Sequence, residues 1–102
     1  MNAVTIDEAK DLIRNNIDNS NFVIIDVRTK EEYDDGHIEK AINISLDRIE
    51  MEIGNLDKTK KYLLYCRTQG RSQFANHILE MNGFDTRFML GGYMRWKNSK
   101  VV

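Results

Sequence analysis

The chain has 102 residues, 41% of them apolar and 30% charged, which fits one water-soluble domain (residues 1–102) with its own core. The net charge of −1 argues against nucleic acid as a partner, because phosphate backbones favour proteins with a clear positive excess. No apolar run approaches the ~20 residues of a membrane-spanning helix, so we expect no membrane partner.

The first predicted elements are an edge strand and an amphipathic helix. Residues 4–6 are a short apolar segment around one threonine, long enough only for an edge strand. Thr5 and Glu8 have the capping-box spacing, in which a hydroxyl and a carboxylate satisfy free N–H groups at a helix start. The predicted apolar stripe of this helix consists of Ala9, Leu12, Ile13 and Ile17.

A buried strand and a short helix follow. Residues 22–25 are a continuous apolar run rich in β-branched side chains, which predicts a strand covered on both faces. Thr29 and Glu32 repeat the capping-box spacing and start a helix that stops near Gly36. Residues 41–44 alternate apolar and polar side chains and predict another strand.

The next segments again alternate in type. A helical stripe over residues 46–53 ends at Gly54, and residues 62–65 form a second continuous apolar run that predicts a central strand. Residues 72–82 predict a helix with Gly83 as its C-cap. The side chains predicted to face inward from this helix are Phe74, Ala75, Ile78 and Leu79.

The last predicted elements are a strand over residues 87–90 and a short helix around Trp96, joined by Gly91 and Gly92. Strands that alternate with helices favour parallel pairing with helices on both faces. The expected fold class is therefore α/β, with a central, mostly parallel sheet.

The segment after residues 62–65 contains the candidate chemistry. Cys66 follows a predicted central strand, and the carboxyl ends of strands are where ligand sites of open α/β sheets lie. A short loop that enters a helix directs successive N–H groups into an anion-binding concavity, and Gly70 allows a tight curl. Arg67 and Arg71 add positive charge, so we expect a reactive, partly exposed thiolate at Cys66. The candidate binding residues are Arg67, Thr68, Gln69, Gly70 and Arg71.

A buried structural cysteine is the alternative interpretation, but so polar and glycine-containing a loop argues against it. Cys66 is the only cysteine, which excludes an internal disulfide and fits a reducing compartment. With no basic segment followed by an apolar stretch at the amino terminus, we expect a cytoplasmic location. The absence of proline, with many Asn, Ile and Lys residues, fits an AT-rich bacterial source.

Four segments together resemble the rhodanese sulfurtransferase family. Residues 66–71 resemble its active-site loop, which runs from a cysteine to an arginine at the sixth position. Residues 26–28, 32–33 and 36–38 resemble its first signature, which ends here at residues 41–44. Leu90-Gly91-Gly92 with Trp96 resembles its C-terminal signature. The family fold is an α/β domain with a central parallel sheet.

The resemblance implies that Cys66 takes a sulfane sulfur from a donor such as thiosulfate, holds it as a persulfide and passes it to a thiol or cyanide. Loop amides of residues 67–71 would cradle the outer sulfur. The implied partners are a small donor (thiosulfate or a persulfide), a thiol or cyanide acceptor, and a protein that donates or accepts a persulfide. No cofactor or metal is expected. Relatives often have glycine at the fourth loop position, whereas here Gln69 is fourth and Gly70 fifth.

Two other functions share some of these features. Phosphatases and arsenate reductases also place a thiolate in an anion-binding loop, but they separate Cys and Arg by five residues, whereas four separate Cys66 from Arg71. A non-catalytic interaction module is the second alternative, although such inactive copies commonly lose the cysteine.

Other polar or aromatic residues have structural interpretations. His37 belongs to a turn signature in the resembling family, and His77 lies off the apolar stripe of its helix. Asp26 is expected to brace the neighbouring backbone or Arg28. Trp96 is expected to pack the terminal helix against the domain. The two histidines and the single cysteine lack the spacing of metal ligands.

Overall fold

The computed structural model describes residues 2–99, in which parallel strands alternate with helices. The strands are β1 (Ala3–Val4), β2 (Phe22–Asp26), β3 (Ile42–Asn43), β4 (Lys61–Tyr65) and β5 (Asp85–Met89). The helices are α1 (Ile6–Asn15), α2 (Lys30–Asp34), α3 (Ile49–Glu52), α4 (Gly70–Met81) and α5 (Gly92–Asn98). Short 3-10 turns, Leu46–Arg48 and Ile53–Asn55, flank α3.

The sheet has the order β1-β5-β4-β2-β3, and every pair of neighbouring strands is parallel. The predicted α/β class is confirmed. In the register of β2 with β4, Asp26 lies opposite Tyr65, so both strands end at the same edge. Cys66 leaves the sheet at that carboxyl edge, where loops of parallel sheets form ligand sites.

Each face of the sheet packs against its own helices, because alternate side chains of a strand point to opposite faces. Tyr62 and Leu64 of β4 belong to a core cluster that includes Leu79 of α4. Leu63 and Tyr65 belong to a second cluster on the other face, against α1 and Trp96 of α5. The prediction that Trp96 packs the terminal helix against the domain is confirmed.

Both predicted capping boxes are present. The backbone N–H of Glu8 donates to Thr5 Oγ1 at 3.1 Å, and the Thr5 N–H donates to the Glu8 carboxylate at 2.9 Å. Thr29 and Glu32 form the same reciprocal pair at 3.2 and 3.0 Å. Each pair satisfies N–H groups that a helix start leaves free.

The C-terminal end of α4 lies beside Gly83, the glycine that the sequence predicts to end this helix. Gly83 has a φ of +85°, and its N–H donates to the Glu80 carbonyl, while the Phe84 N–H donates to the Leu79 carbonyl. These two bonds are the Schellman arrangement, which glycine adopts without strain.

Three local predictions are wrong. Ile6 is the first residue of α1 and not part of a strand. Ile17 lies beyond the end of α1 and is 45% exposed. Phe74 is 57% exposed. The buried side chains of α4 are Ser72, Ala75, Asn76 and Leu79, and two of these are polar, so hydrophobicity alone misplaced the inward face.

Candidate active site

Cys66 lies between the end of β4 and the start of α4, and it is only 1% exposed. The Ser72 backbone N–H donates to its Sγ at 3.3 Å, and the thiol contacts Ser72 Oγ at 3.5 Å. The prediction that the Cys66 thiol is partly exposed is therefore wrong. The sulfur lies below the surface, beside the first turn of α4.

The sulfur occupies the position of a helix cap. Gln69, the residue at the N-cap of α4, makes no side-chain cap bond, whereas the N–H of Ser72 points at Cys66 Sγ. Ser72 Oγ donates to the Gln69 carbonyl at 3.0 Å and so fixes the first turn. The sulfur therefore lies at the N-terminal end of α4, where a helix carries partial positive charge.

The backbone N–H groups of residues 67–71 donate to no other group of the described chain. The carbonyls of Cys66 and Arg67 instead accept hydrogen bonds from the N–H groups of Tyr93 and Met94, at 2.8 and 3.0 Å. In a trans peptide the N–H points opposite to the C=O, so the N–H groups of Arg67 and Thr68 point away from α5. Gly70 and Arg71 are the first two residues of α4, so these free N–H groups continue from the loop into the first turn of the helix, and the predicted tight curl at Gly70 is not seen, since its φ is not positive. Successive free N–H groups are a feature of anion-binding concavities.

Gly92 permits this contact between α5 and the loop. Its φ is +60°, and a Cβ at this position would lie about 2.6 Å from the carbonyl oxygens of Cys66 and Arg67. No side chain fits such a distance, and few residues adopt this backbone conformation.

Arg71 forms a two-bond ion pair with Glu32 of α2. Its Nη1 lies 2.6 Å from Glu32 Oε1 and its Nη2 lies 3.0 Å from Oε2. The hydrogen bonds from Arg71 lower the pKa of Glu32 from 4.5 to about 2. The guanidinium therefore joins the loop to α2, and its charge is compensated. The sequence pattern identified Glu32 as a capping residue and as part of the first family signature, but nothing local to it indicates a partner 39 positions away.

Arg67 extends to the surface, where its Nε lies 3.3 Å from Met94 Sδ. It lines a cavity of about 470 Å³ beside the loop. The other residues that line this cavity include Glu32, Asp35, Tyr93, Met94 and Lys97. The sequence pattern had not singled out Lys97 as a lining residue.

A buried ion pair supports this edge of the sheet. Arg28 Nη2 lies 2.7 Å from Asp26 Oδ2 and 2.6 Å from the Gly36 carbonyl oxygen. Its guanidinium also lies over the ring of Tyr93 at 4.4 Å. Burial opposes the charged form, but the hydrogen bonds and charge of Asp26 raise the pKa of Arg28 overall. The prediction that Asp26 braces Arg28 is confirmed.

The histidines lie outside the loop. His37 stacks on Tyr33 with 3.7 Å between ring centroids, and its Nδ1 lies 2.8 Å from the Tyr33 carbonyl oxygen. His77 is exposed, as predicted. Among residues 2–99, no group of three or more His, Cys, Asp or Glu side chains is placed to hold a metal ion. No helix in the same range is both long and apolar enough to cross a bilayer.

Comparison with known proteins identifies a family. The profile of the rhodanese-like domain matches residues 7–99. A putative sulfurtransferase, YtwF of Bacillus subtilis, is 38% identical over 74 residues, which are 72% of each chain. The thiosulfate sulfurtransferase GlpE of Coxiella burnetii is 32% identical over 77 residues, 74% of this chain and 72% of that one.

Similarity extends to solved structures and to longer proteins. A rhodanese-like domain protein of Staphylococcus aureus superposes with a TM-score of 0.81 at 34% identity, covering 94% of this chain and 91% of that one. A probable molybdopterin-synthase adenylyltransferase of Porphyra purpurea is 33% identical over 81 residues, 76% of this chain. The match spans only 21% of that protein's own length.

Proposed function

The chain belongs to the rhodanese-like domain family. From that membership we propose that it is a sulfurtransferase, which moves a sulfane sulfur from a donor such as thiosulfate to a thiol or cyanide through a persulfide on Cys66. The observation that carries the proposal is the row of free N–H groups over residues 67–71, next to a sulfur placed at the N-terminus of α4. That arrangement suits a small anion attached to Cys66.

In the first step, the Cys66 thiolate attacks the outer sulfur of thiosulfate. A bond forms between Sγ and that sulfur, the S–S bond of thiosulfate breaks, and sulfite leaves with the electron pair. The terminal sulfur of the persulfide carries negative charge, which the N–H groups of residues 67–71 would bind. Arg67 at the surface would attract the dianionic donor.

In the second step, an acceptor thiolate or cyanide attacks the outer sulfur. The bond from that sulfur to Sγ breaks, and its electron pair returns to Cys66 as the thiolate. No external oxidant or cofactor enters either step. Because Cys66 is the only cysteine, the persulfide has no internal partner with which to form a disulfide.

Intact-mass measurement tests this proposal. After incubation with thiosulfate, the protein should gain the mass of one sulfur atom and release sulfite in equal amount. Cyanide or a thiol should remove the adduct. Cys66→Ser is the control and should show neither event. If wild-type protein gains no sulfur from thiosulfate or from other sulfane donors, the proposal fails and a non-catalytic binding role takes its place.

The geometry does not favour phosphoryl or arsenate chemistry. Four residues separate Cys66 from Arg71, and the Arg71 guanidinium is bound to Glu32 through two hydrogen bonds. A phosphate or arsenate on the sulfur would need a wider loop and a free arginine.

A further inference from the structure

A second cavity, of about 450 Å³, lies where β2 begins, whereas Cys66 follows the carboxyl end of β4. It is a cleft between the C-terminal end of α1 and the edge of the sheet. Its apolar walls include Ile13, Ile17 and Ile42, and the last two are 45% and 44% exposed. Sites of roughly 300–1,000 Å³ with mostly apolar walls generally hold small organic molecules.

The outer edge of β2 is only partly covered by β3. Backbone groups of consecutive residues in a strand point alternately to its two edges. The Val27 N–H donates to the Tyr65 carbonyl of β4, whereas the Asp26 carbonyl accepts the Ile44 N–H on the side of β3, at 3.0 Å. Even-numbered residues of β2 therefore face β3. Because β3 has only two residues, it pairs only with residues 25–26 of β2.

Two backbone groups are left open on this edge. The Phe22 carbonyl and the Ile24 N–H face the side of β3, and neither has a hydrogen-bond partner among residues 2–99. Both residues line the cavity, and Ile24 is only 5% exposed. Backbone groups of buried residues are nearly always paired, so a free N–H in the middle of a strand calls for a ligand or an ordered water. The cavity therefore presents one acceptor and one donor side by side.

Lys40 joins the two sides of the cleft. Its Nζ donates to the Ile17 carbonyl at 2.8 Å, which connects the segment before β3 to the end of α1. Both residues line the cavity. The φ of Lys40 is +71°, a backbone conformation that residues other than glycine seldom adopt. Strain of this kind persists where surrounding contacts hold it, and it is frequent at ligand sites.

We propose that this cavity binds a planar nitrogen heterocycle that carries an amino group next to a ring nitrogen. The amino group donates to the Phe22 carbonyl, and the ring nitrogen accepts the Ile24 N–H. One edge of such a ring supplies both groups, as one residue of a neighbouring strand would. The faces of the ring pack against the apolar walls of the cleft.

A peptide strand added to this edge fits less well. Strand addition depends on a run of main-chain hydrogen bonds along an open edge. Here β3 ends the open stretch on one side, and on the other the Phe22 N–H already donates to the Asn19 carbonyl at 3.1 Å. The two groups that are left suit a single small ring.

Amide NMR of the nitrogen-labelled protein tests the site. In the free protein, the Ile24 N–H should exchange with deuterium faster than the Ile25 N–H, which faces β4. Adenosine and cytidine are the probes, since each has an amino group beside a ring nitrogen. Both should bind with about millimolar affinity, shift the Ile24 amide and slow its exchange. Purine riboside lacks the amino group and should bind about three- to tenfold more weakly than adenosine.

Two variants locate the binding on the molecule. Ile17→Asp places a charge in the apolar wall and should weaken adenosine binding about three- to tenfold. Met81→Asp is the matched control, because Met81 is an exposed apolar residue at the end of α4 and does not line the cavity. Its affinity for adenosine should equal that of wild type.

Three results would overturn the proposal. The first is an Ile24 N–H that exchanges as slowly as that of Ile25 in the free protein. The second is an Ile24 amide that neither nucleoside shifts at millimolar concentration. The third is equal affinity for adenosine and purine riboside, which would leave the Phe22 carbonyl without a role. Sulfite release from thiosulfate is a separate measurement, so these results leave the sulfur-transfer proposal intact.

Discussion

Arg71 and Glu32 are joined by two parallel hydrogen bonds, of 2.6 and 3.0 Å, although 39 positions separate them in the chain. The same Glu32 carboxylate accepts the Thr29 N–H at 3.0 Å. One side chain thus caps α2 and holds the end of the Cys66 loop. The position of the loop therefore depends on α2 through this ion pair.

Replacing Arg71 by lysine should slow persulfide formation even though the charge is kept. Lysine cannot form the paired bonds of a planar guanidinium, so the loop would lose its attachment to Glu32. We expect about a five- to tenfold lower single-turnover rate with thiosulfate, which corresponds to about 1–1.4 kcal/mol, the net contribution of an ordinary hydrogen bond. Arg67→Lys is the comparison and should mainly raise the KM of thiosulfate. Equal, small effects of both substitutions would mean that the positive charge at these positions, and not the planar guanidinium of Arg71, supports persulfide formation.

Glu32→Gln should make the stability of the protein less dependent on pH. The pKa of Glu32 lies below its ordinary value, so the carboxylate stabilises the fold fully above pH 4.5, and this contribution is lost as the pH falls from 4.5 toward about 2. The variant should be less stable at pH 7 by about 1–2 kcal/mol after allowance for solvent screening, and the difference should narrow at pH 3. Urea unfolding of wild type and variant at pH 7 and pH 3 measures this difference in unfolding free energy. Glu50→Gln, at an exposed position, is the control.

Gly92→Ala should disrupt both the fold and sulfur transfer. An alanine Cβ would collide with the carbonyls of Cys66 and Arg67, at a φ of +60° that disfavours any side chain. We expect a loss of more than about 2 kcal/mol in unfolding free energy. Gly54→Ala is the matched control, since a Cβ there has no neighbour within 4 Å. Similar stability for the two variants would show that the loop adapts to a longer distance from α5.

Loading the protein with thiosulfate should speed its reaction with alkylating agents. Cys66 Sγ is buried, and a second sulfur would extend the nucleophile by about 2 Å toward the surface. At neutral pH, iodoacetamide should therefore modify the loaded protein faster than the unloaded protein. Mass spectrometry distinguishes the two products, because only one retains the added sulfur. Faster modification of the unloaded form would mean that Cys66 is more accessible than its burial indicates.

Aryl phosphates should not be hydrolysed at a measurable rate, and orthovanadate should inhibit sulfur transfer poorly. Both expectations follow from the four-residue spacing between Cys66 and Arg71 and from the engagement of Arg71 by Glu32. A hydrolysis assay with an aryl phosphate, run on the same protein preparation as the sulfur-transfer assay, checks the expectation about hydrolysis. Hydrolysis faster than sulfur transfer would overturn the argument from loop size.

Local patterns predicted the helix starts and the sheet well, because a capping box or a buried strand depends on residues close together in the chain. Thr5 with Glu8 and Thr29 with Glu32 both form the expected bonds. Local patterns could not predict pairs of side chains that are far apart in the chain. Nothing near Arg71 indicates that its partner belongs to α2.

The burial of Cys66 was mispredicted, although a buried cysteine was the alternative interpretation. Two arginines nearby indicated an open loop, yet Ser72 turns inward and its N–H contacts the sulfur. A polar residue on the buried face of α4 looks like a surface residue in the sequence. Phe74 was misplaced for the same reason: the buried face of α4 includes polar residues, so the apolar residues did not mark that face.

The hydrogen bonds from Tyr93 and Met94 to the loop have a consequence for biosynthesis. Because the carbonyls of Cys66 and Arg67 accept hydrogen bonds from α5, we expect the loop to acquire its shape only after residues 92–98 have left the ribosome and docked. A nascent chain that has exposed Cys66 but not α5 would contain the thiol without the oriented N–H groups around it. Sulfur chemistry at Cys66 would therefore begin late, when nearly the whole of the described chain has been synthesised and folded.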